Sequence, residues 1–131
     1  LGQAEQPRRL MSPELSAPVA AFIADLNDQG IQASVQGSAV VYSVYAVAGS
    51  LAGTEVPTAV SMSELAGWPA VPPHWLHFPS TVRFAATNTD TNECLDGWLR
   101  HSRDIGAWST DRPPMVNWLA HVRGVVKEAI A

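Results

Sequence analysis

Two stretches of the chain repeat hydrophobic residues at helical spacing, one near each end. The first has its apolar positions three or four residues apart, at Leu15, Val19, Phe22, Ile23 and Leu26. This pattern predicts an amphipathic helix over residues 13–29, begun by Ser12 and Pro13, or by Ser16, and ended by Gly30. The second predicts a closing helix that starts at Pro113 and Pro114 and has on one face Met115, Trp118, Leu119, Val122, Val125, Val126, Ala129 and Ile130.

Between these helices the hydrophobic residues follow the alternating pattern of strands. Alternation begins at Ile31, residues 39–47 are rich in Val and Tyr, and residues 55–62 form a further apolar run. Pro57 suggests that the third strand is an edge or carries a bulge. With a fourth short strand at 81–86, the pattern predicts an antiparallel four-stranded meander packed against helices, an α+β fold.

The middle of the chain combines prolines with aromatic residues. Residues 68–79 contain four prolines among Trp, His and Phe side chains, which excludes regular helix and predicts an extended, packed crossing segment. Residues 87–104 are polar and rich in turn formers. We expect a flexible tail at residues 1–12 and a single domain over 13–131, with an irregular proline-rich and active-site segment between the meander and the last helix.

Composition narrows the class of protein. The chain has 131 residues, 47% of them hydrophobic, so one domain can form a core without disulfides or a structural metal. A formal charge of −4 is a poor match for nucleic acid, and no apolar run approaches the roughly 20 residues that cross a membrane. A single cysteine fits a reducing compartment, so we expect a cytoplasmic location. No phosphate-binding glycine loop is present, and we expect no cofactor.

Cys94 is the first candidate for chemistry. It lies between Asn92-Glu93 and Leu95-Asp96, a polar setting in which an exposed thiol could act as a nucleophile or thioester carrier. The alternative is a small buried residue, which most free cysteines are. The neighbouring carboxylates would raise the pKa of the thiol.

Histidines provide the other candidates. His101 could act as a general base and Arg103 could bind a carboxylate, although with Ser102 and Asp104 they could equally stabilise their own loop through backbone hydrogen bonds. His74 and His77 have the spacing of some metal-binding pairs. An extended strand would send them to opposite faces, so we expect no metal site.

Three motifs in the second half of the chain carry a family resemblance. Residues 68–73 read Trp-Pro-Ala-Val-Pro-Pro, Asn88 follows a short apolar run, and Cys94 is followed by Leu95 and, later, by Trp108. Their order after a helix and a meander resembles the ubiquitin-conjugating enzyme (E2, or UBC-like) fold. There a proline-rich turn precedes an oxyanion-stabilising Asn, a catalytic Cys-Leu pair and a Trp. The resemblance covers about residue 13 to the C-terminus.

Two departures from the E2 pattern narrow the resemblance further. Ala86 and Thr87 replace the usual His-Pro before the Asn, and the segment after the Cys carries Gly-Trp-Leu-Arg-His-Ser-Arg at 97–103. The chain thus resembles prokaryotic E2-like proteins, which are encoded beside E1-like, ubiquitin-like and JAB-type peptidase partners in bacterial conjugation systems. This implies a bacterial protein with a role in antiviral defence. Because the Cys is not universal in that group, His101 or Arg103 could be the important residue instead.

The function implied by the resemblance is that of a transferase. Cys94 would accept a ubiquitin-like protein from an E1-like enzyme as a thioester and pass it to an amine. Asn88 would stabilise the oxyanion, and His101 or Asp96 would help to deprotonate the incoming nucleophile. Ser102, Arg103 and Trp108 would organise the loop or bind partners. The partner surface would be the first helix and the loops near the proline turn.

Two other functions remain open at this point. A non-catalytic module with the same fold, like the E2 variants and RWD domains, would bind the same kinds of partner without forming a thioester. The carrier is favoured if Cys94 is exposed in a groove beside Asn88 and His101, and the non-catalytic module is favoured if Cys94 is buried against the core. An unrelated α+β enzyme or ligand-binding domain is favoured if the sheet is mixed, or if a cavity opens beneath Trp75 and Trp98.

Overall fold

The computed structural model describes residues 15–85 and 88–130. Two helices, α1 and α2, flank six strands and a short 3-10 helix. No helix in this part of the chain has both the length and the apolar character needed to span a bilayer. In chain order the elements are α1 (Ala17–Asp28), β1 (Ser34–Gln36), β2 (Ala39–Tyr45), β3 (Glu55–Ser61), the 3-10 helix (Met62–Leu65), β4 (Trp75–Pro79), β5 (Thr89–Asp90), β6 (Trp98–Ser102) and α2 (Pro114–Lys127).

Both predicted helices are present, with small differences at their ends. Ser16 caps α1, since its hydroxyl accepts a hydrogen bond from the Val19 N–H at 3.4 Å. The second of the two predicted starts is therefore confirmed, while Ser12 and Pro13, like the predicted tail at 1–12, lie outside the described residues. Pro113 precedes α2 as its N-cap, where its missing N–H costs nothing.

The sheet has six strands, and the prediction of a four-stranded meander was wrong. All pairs are antiparallel, in the order β1-β2-β3-β4-β6-β5. This removes the mixed sheet that would have favoured an unrelated enzyme fold. The predicted strand at 81–86 is absent over its described residues, where only Phe84 forms an isolated bridge, to Ala129. The fourth strand is instead β4, inside the segment that we predicted to be irregular.

The prolines of this region are placed where strands tolerate them. Pro79 is the last residue of β4, so it interrupts no hydrogen bond inside the strand. Pro57 lies in β3, an inner strand, contrary to the predicted edge. Since β3 pairs with β4 at a single register position, Ala59 opposite His77, no continuous ladder runs beside Pro57 on that side.

The core lies between the sheet and the two helices. The Trp118 indole N–H of α2 donates a buried hydrogen bond to the Tyr42 hydroxyl of β2 at 2.8 Å, and Phe22 of α1 packs edge-on against the same ring. Both helices therefore cover the sheet face that carries Tyr42, which we call the core face. The opposite side is called the outer face.

Strand alternation divides β4 and β6 between these faces. His77 pairs with Arg100 on the outer face, whereas Leu76 pairs with His101 on the core face. Phe78, also on the core face, is fully buried and packs against Phe84. Residues adjacent in sequence are thus held on opposite sides of the sheet, and this separation determines which predicted site residues can meet.

Candidate functional site

A network of hydrogen-bonded and charged side chains lies on the outer face, centred on Glu64 of the 3-10 helix. Glu64 Oε1 accepts a hydrogen bond from the Ser61 N–H at 2.8 Å, which completes a capping box, and lies 3.0 Å from His77 Nε2. Its other oxygen lies 3.5 Å from Arg100 Nη1. One largely buried carboxylate therefore connects the 3-10 helix to β4 and β6.

Arg100 extends this network to the edge strand β5. Its Nε donates to Asp90 Oδ1 at 2.6 Å, and its guanidinium lies 3.9 Å from the centre of the Trp75 ring. The hydrogen bond from Arg100 lowers the pKa of Asp90, and the same pairing raises the pKa of Arg100. Arg100 is thus held by a carboxylate on each side and by an aromatic face beneath it.

The hairpin loop between β5 and β6, residues 91–97, folds back onto the 3-10 helix. Glu93 accepts hydrogen bonds from the hydroxyls of Ser61, at 2.9 Å, and Ser63. These hydroxyls lower the pKa of the Glu93 carboxyl. Glu93 also has a positive φ of 58°, a conformation that side-chain anchoring helps to maintain. The loop that carries Cys94 is therefore fixed at its neighbouring residue.

Cys94 is half-buried in this loop, and the structure does not activate its thiol. Its Sγ lies 4.0 Å from the Asp90 carbonyl oxygen. Burial raises the pKa of the thiol to about 11; Arg100 lowers it only in part, and nearby carboxylates such as Asp90 raise it further. At neutral pH the thiol is protonated.

His101 occupies the other side of the sheet. It is 3% exposed, and its ring packs between Phe78 and Phe84, with ring centres 5.7 and 4.8 Å away. Burial lowers the pKa of the imidazole to about 4, with a smaller contribution from Arg103. Because Cys94 interacts with the outer-face charges, the structure does not bring His101 to the thiol as a general base.

The other two predicted catalytic residues are exposed. Asn88 precedes β5, and its backbone oxygen accepts a hydrogen bond from the Ser102 N–H at 3.1 Å. Asp96 lies near the end of the hairpin loop that holds Cys94. Among the described residues Cys94 makes no hydrogen bond to Asn88 or His101, and His101 lies on the core face of the sheet.

The residues predicted to organise the loop or bind partners do make local contacts. The Ser102 hydroxyl is hydrogen-bonded to His74 Nε2 at 2.5 Å, and Arg103 donates to the Ser102 carbonyl oxygen at 2.8 Å. The Trp108 indole N–H donates to the Pro69 carbonyl oxygen at 3.0 Å. Trp108 thus ties its own loop to the proline turn.

The described residues contain no group of three or more His, Cys, Asp or Glu side chains arranged to hold a metal ion. Of His74 and His77, which share the spacing of some metal-binding pairs, only His77 belongs to the network, and its Nε2 is hydrogen-bonded to Glu64. Its backbone oxygen accepts a hydrogen bond from Thr58 Oγ1 at 2.9 Å. These partners fit a structural histidine.

Sequence reasoning missed Glu64, Asp90, Glu93 and Arg100 as members of one network. One signal was present, because Ser61-Met62-Ser63-Glu64 has the Ser-x-x-Glu spacing of a capping box. That motif predicts a helix start but not the pairing of Glu64 with strands 13 and 36 residues further on. The network can fix the hairpin loop and hold the charged side chains of Arg100 and Asp90 at the sheet edge. The Glu64 carboxylate already has the Ser61 N–H, His77 and Arg100 as partners.

Comparison with known proteins adds no family: no family model, curated protein or solved structure matches the chain. Function must therefore be inferred from the residues and their arrangement.

The Glu64 network should contribute strongly to stability. We expect Glu64→Ala to lower the free energy of unfolding by on the order of 3 kcal/mol, because buried His77 and the Ser61 N–H lose their acceptor. Glu64→Gln, which keeps an acceptor oxygen, should cost less. Urea unfolding measures both. The exposed Glu55→Ala is the matched control and should change stability by less than about 0.5 kcal/mol; an equal loss in Glu55→Ala and Glu64→Ala would contradict the network's role.

His101 should make the protein sensitive to acid. Its pKa in the folded state, about 4, lies below the ordinary 6.5, so the unfolded chain takes up the proton first as the pH falls. The part of the free energy of unfolding that depends on a neutral His101 is fully present above pH 6.5. It is lost as the pH falls from 6.5 to about 4, and the total loss is on the order of 3 kcal/mol. His121, whose pKa burial also lowers, adds to this slope.

The measurement for His101 is urea unfolding at several pH values. His101→Phe should flatten most of the slope between pH 6.5 and 4, whereas His121→Phe should flatten a smaller part. An unchanged slope in His101→Phe would show that this imidazole is not held neutral.

Cys94 should react slowly with alkylating reagents. With a pKa near 11 instead of the 9.0 of an unperturbed thiol, Cys94 has about one hundredth of the thiolate population that an unperturbed thiol has at pH 8. We expect iodoacetamide to modify the folded protein about a hundredfold more slowly than the same protein unfolded in urea, as followed by mass spectrometry. Equal rates would contradict the raised pKa, and faster reaction of the folded protein would mean that the thiol is activated.

Proposed function

We propose that this domain is a UBC-like protein-binding module of a ubiquitin-like conjugation system. Its partner surface is formed by α1 and the proline turn at 68–73. The order of a helix, antiparallel strands, a proline turn, a Cys-bearing loop and a closing helix supports this proposal. Its partners are a ubiquitin-like protein and an E1-like enzyme, with a JAB-type peptidase in the same operon.

One observation carries this proposal: the proline turn and α1 form a continuous, fixed surface. The Trp68 indole N–H donates to Asp25 Oδ2 of α1 at 3.0 Å, while Trp108 holds the Pro69 carbonyl from the other side. Trp68 itself is buried against Phe22 of α1. Val71, two residues after Pro69 in the same turn, is 61% exposed and can contact a partner. A rigid surface binds with little loss of conformational entropy.

The arrangement around Cys94 favours binding over thioester transfer. A carrier needs a thiolate, or a base that removes the proton of the thiol. Here burial and nearby carboxylates keep the thiol protonated, and His101 faces the core. The surrounding Glu64, Arg100 and Asp90 bond one another instead.

The second candidate function is the E2-like carrier itself, in which Cys94 holds the ubiquitin-like protein. Two features favour it: Cys94 lies in a hairpin loop next to the sheet edge, and the charge of Arg100 acts to lower the pKa of the thiol. Asp96 and Asn88 would then have to act from their exposed positions, because His101 is on the other face.

The experiment that separates the two functions combines this domain with the E1-like enzyme, the ubiquitin-like protein and ATP. The binding module should form a complex, measured by calorimetry, whose affinity Cys94→Ser leaves unchanged, and non-reducing gels should show no thiol-sensitive adduct. Val71→Asp should weaken the complex at least tenfold, because a carboxylate at the interface loses its water.

Val47→Asp is the matched control, since Val47 is 73% exposed but belongs to the loop after β2. It should leave the affinity unchanged. A thiol-sensitive adduct that Cys94→Ala abolishes would favour the carrier function. Binding that is lost equally in Val47→Asp and Val71→Asp would contradict the proposed surface, and the absence of both binding and adduct would overturn both functions.

A further inference from the structure

A cavity lies beside the edge strand β5, away from the proline turn and the outer-face network. It has a volume of about 210 Å³ and lies between residues 80–84 and strands β5 and β6. Val82, Phe84 and Leu99 provide apolar walls, and the polar members of the lining are Ser80, Arg83, Thr89 and His101. The cavity therefore combines an apolar lining with a few polar groups, as small-ligand sites do.

His101 is the unusual member of this lining. Its side chain is 97% buried, as its 3% exposure shows, and neither Nδ1 nor Nε2 has a hydrogen-bond partner among residues 15–85 and 88–130. Its ring neighbours, Phe78 and Phe84, offer no hydrogen-bonding atom. Buried polar side-chain atoms are nearly always paired in folded proteins, so this ring has hydrogen-bonding capacity for a partner from outside.

The protonation state of the His101 ring restricts the chemistry of that partner. Burial keeps the imidazole neutral, with a pKa of about 4, so it offers one N–H donor and one acceptor nitrogen. The carboxylates of Glu64, Asp90 and Glu93 belong to the outer-face network. Arg83 lines the cavity but is exposed to solvent, and the charge of Arg103 helps to lower the pKa of the His101 ring. These cations disfavour a positively charged ligand, and the apolar walls disfavour burying a full charge of either sign. This environment suits an uncharged group with a single hydroxyl or N–H.

The volume of the cavity restricts the size of the ligand. An apolar cavity of about 150 Å³ holds a benzene ring. A cavity of about 210 Å³ accommodates one such ring with a few further atoms.

We propose that this cavity binds an uncharged aromatic group with one hydroxyl or N–H, of which phenol is the simplest. The ring packs against Phe84, Val82 and Leu99, and the polar atom hydrogen-bonds to His101. The group belongs either to a free small molecule or to a tyrosine side chain of a bound protein. The site is independent of the proposed partner surface, since it uses no residue of α1 or of the proline turn.

The test is a titration of the folded protein with phenol and with toluene, observed through the ring ¹⁵N resonances of histidine. Phenol should shift the His101 resonances and bind about tenfold more tightly than toluene, because only phenol forms the hydrogen bond. In the variants, binding is followed through the backbone amide resonances of Val82 and Leu99, which line the cavity. His101→Phe should remove the preference for phenol, whereas His74→Phe, at an exposed histidine outside the cavity, should keep it. Equal binding of phenol and toluene, or no shift with either, would overturn the proposal.

The source of the group is decided in a second titration, with p-cresol and with the tripeptide Gly-Tyr-Gly. Binding of p-cresol alone supports a free small molecule as the natural ligand. Binding of both supports a tyrosine of a protein partner. If neither binds, the proposal fails even where phenol has given a shift.

Discussion

The carboxylate of Glu64 is the contact on which the outer side of this domain depends. It accepts from the Ser61 N–H, contacts His77 Nε2 and lies opposite Arg100 Nη1, so three separate parts of the chain meet at two oxygen atoms. Arg100 then positions Asp90 on the edge strand. An unpaired charge in a largely buried position is expensive, so these groups stabilise one another only as a set. The hairpin loop with Cys94 is ordered by the same set, and the low reactivity expected of its thiol is a consequence of that ordering.

The parts of the fold that local pattern determines could be predicted from the sequence. Hydrophobic spacing identified both helices, and the Ser16 cap of α1 was one of two starts that capping chemistry allowed. Strands β4 and β6 were missed for a physical reason. Their residues alternate correctly, but Pro79 and the polar residues around Arg100 obscure the pattern, and their pairing joins positions 19 to 27 residues apart. Such a pairing is selected by the whole sheet rather than by neighbouring residues.

Strand alternation also explains why the predicted site was not assembled. Arg100 and His101 are adjacent in sequence, and in a strand adjacent side chains point to opposite faces. Once the register places Arg100 beside His77, His101 must enter the core. Cys94 precedes β6, in a loop whose position is fixed by Glu93 and the 3-10 helix. The chain therefore passes from one face of the sheet to the other within the seven residues that follow Cys94. Closeness in sequence gave a false expectation that Cys94 and His101 lie close in space.

The two faces also differ in how well their polar groups are satisfied. On the outer face, the central charged groups have partners at hydrogen-bond or ion-pair distance. On the core face, His101 packs against Phe78, Phe84 and the apolar wall of the cavity, and neither of its nitrogens has a partner among the described residues; a leucine or phenylalanine would avoid burying them. Stability alone therefore favours an apolar residue at this position. Departures from local consistency are expected at functional sites, and the unpaired ring of His101 is the departure on which the proposed binding of an aromatic group beside β5 depends.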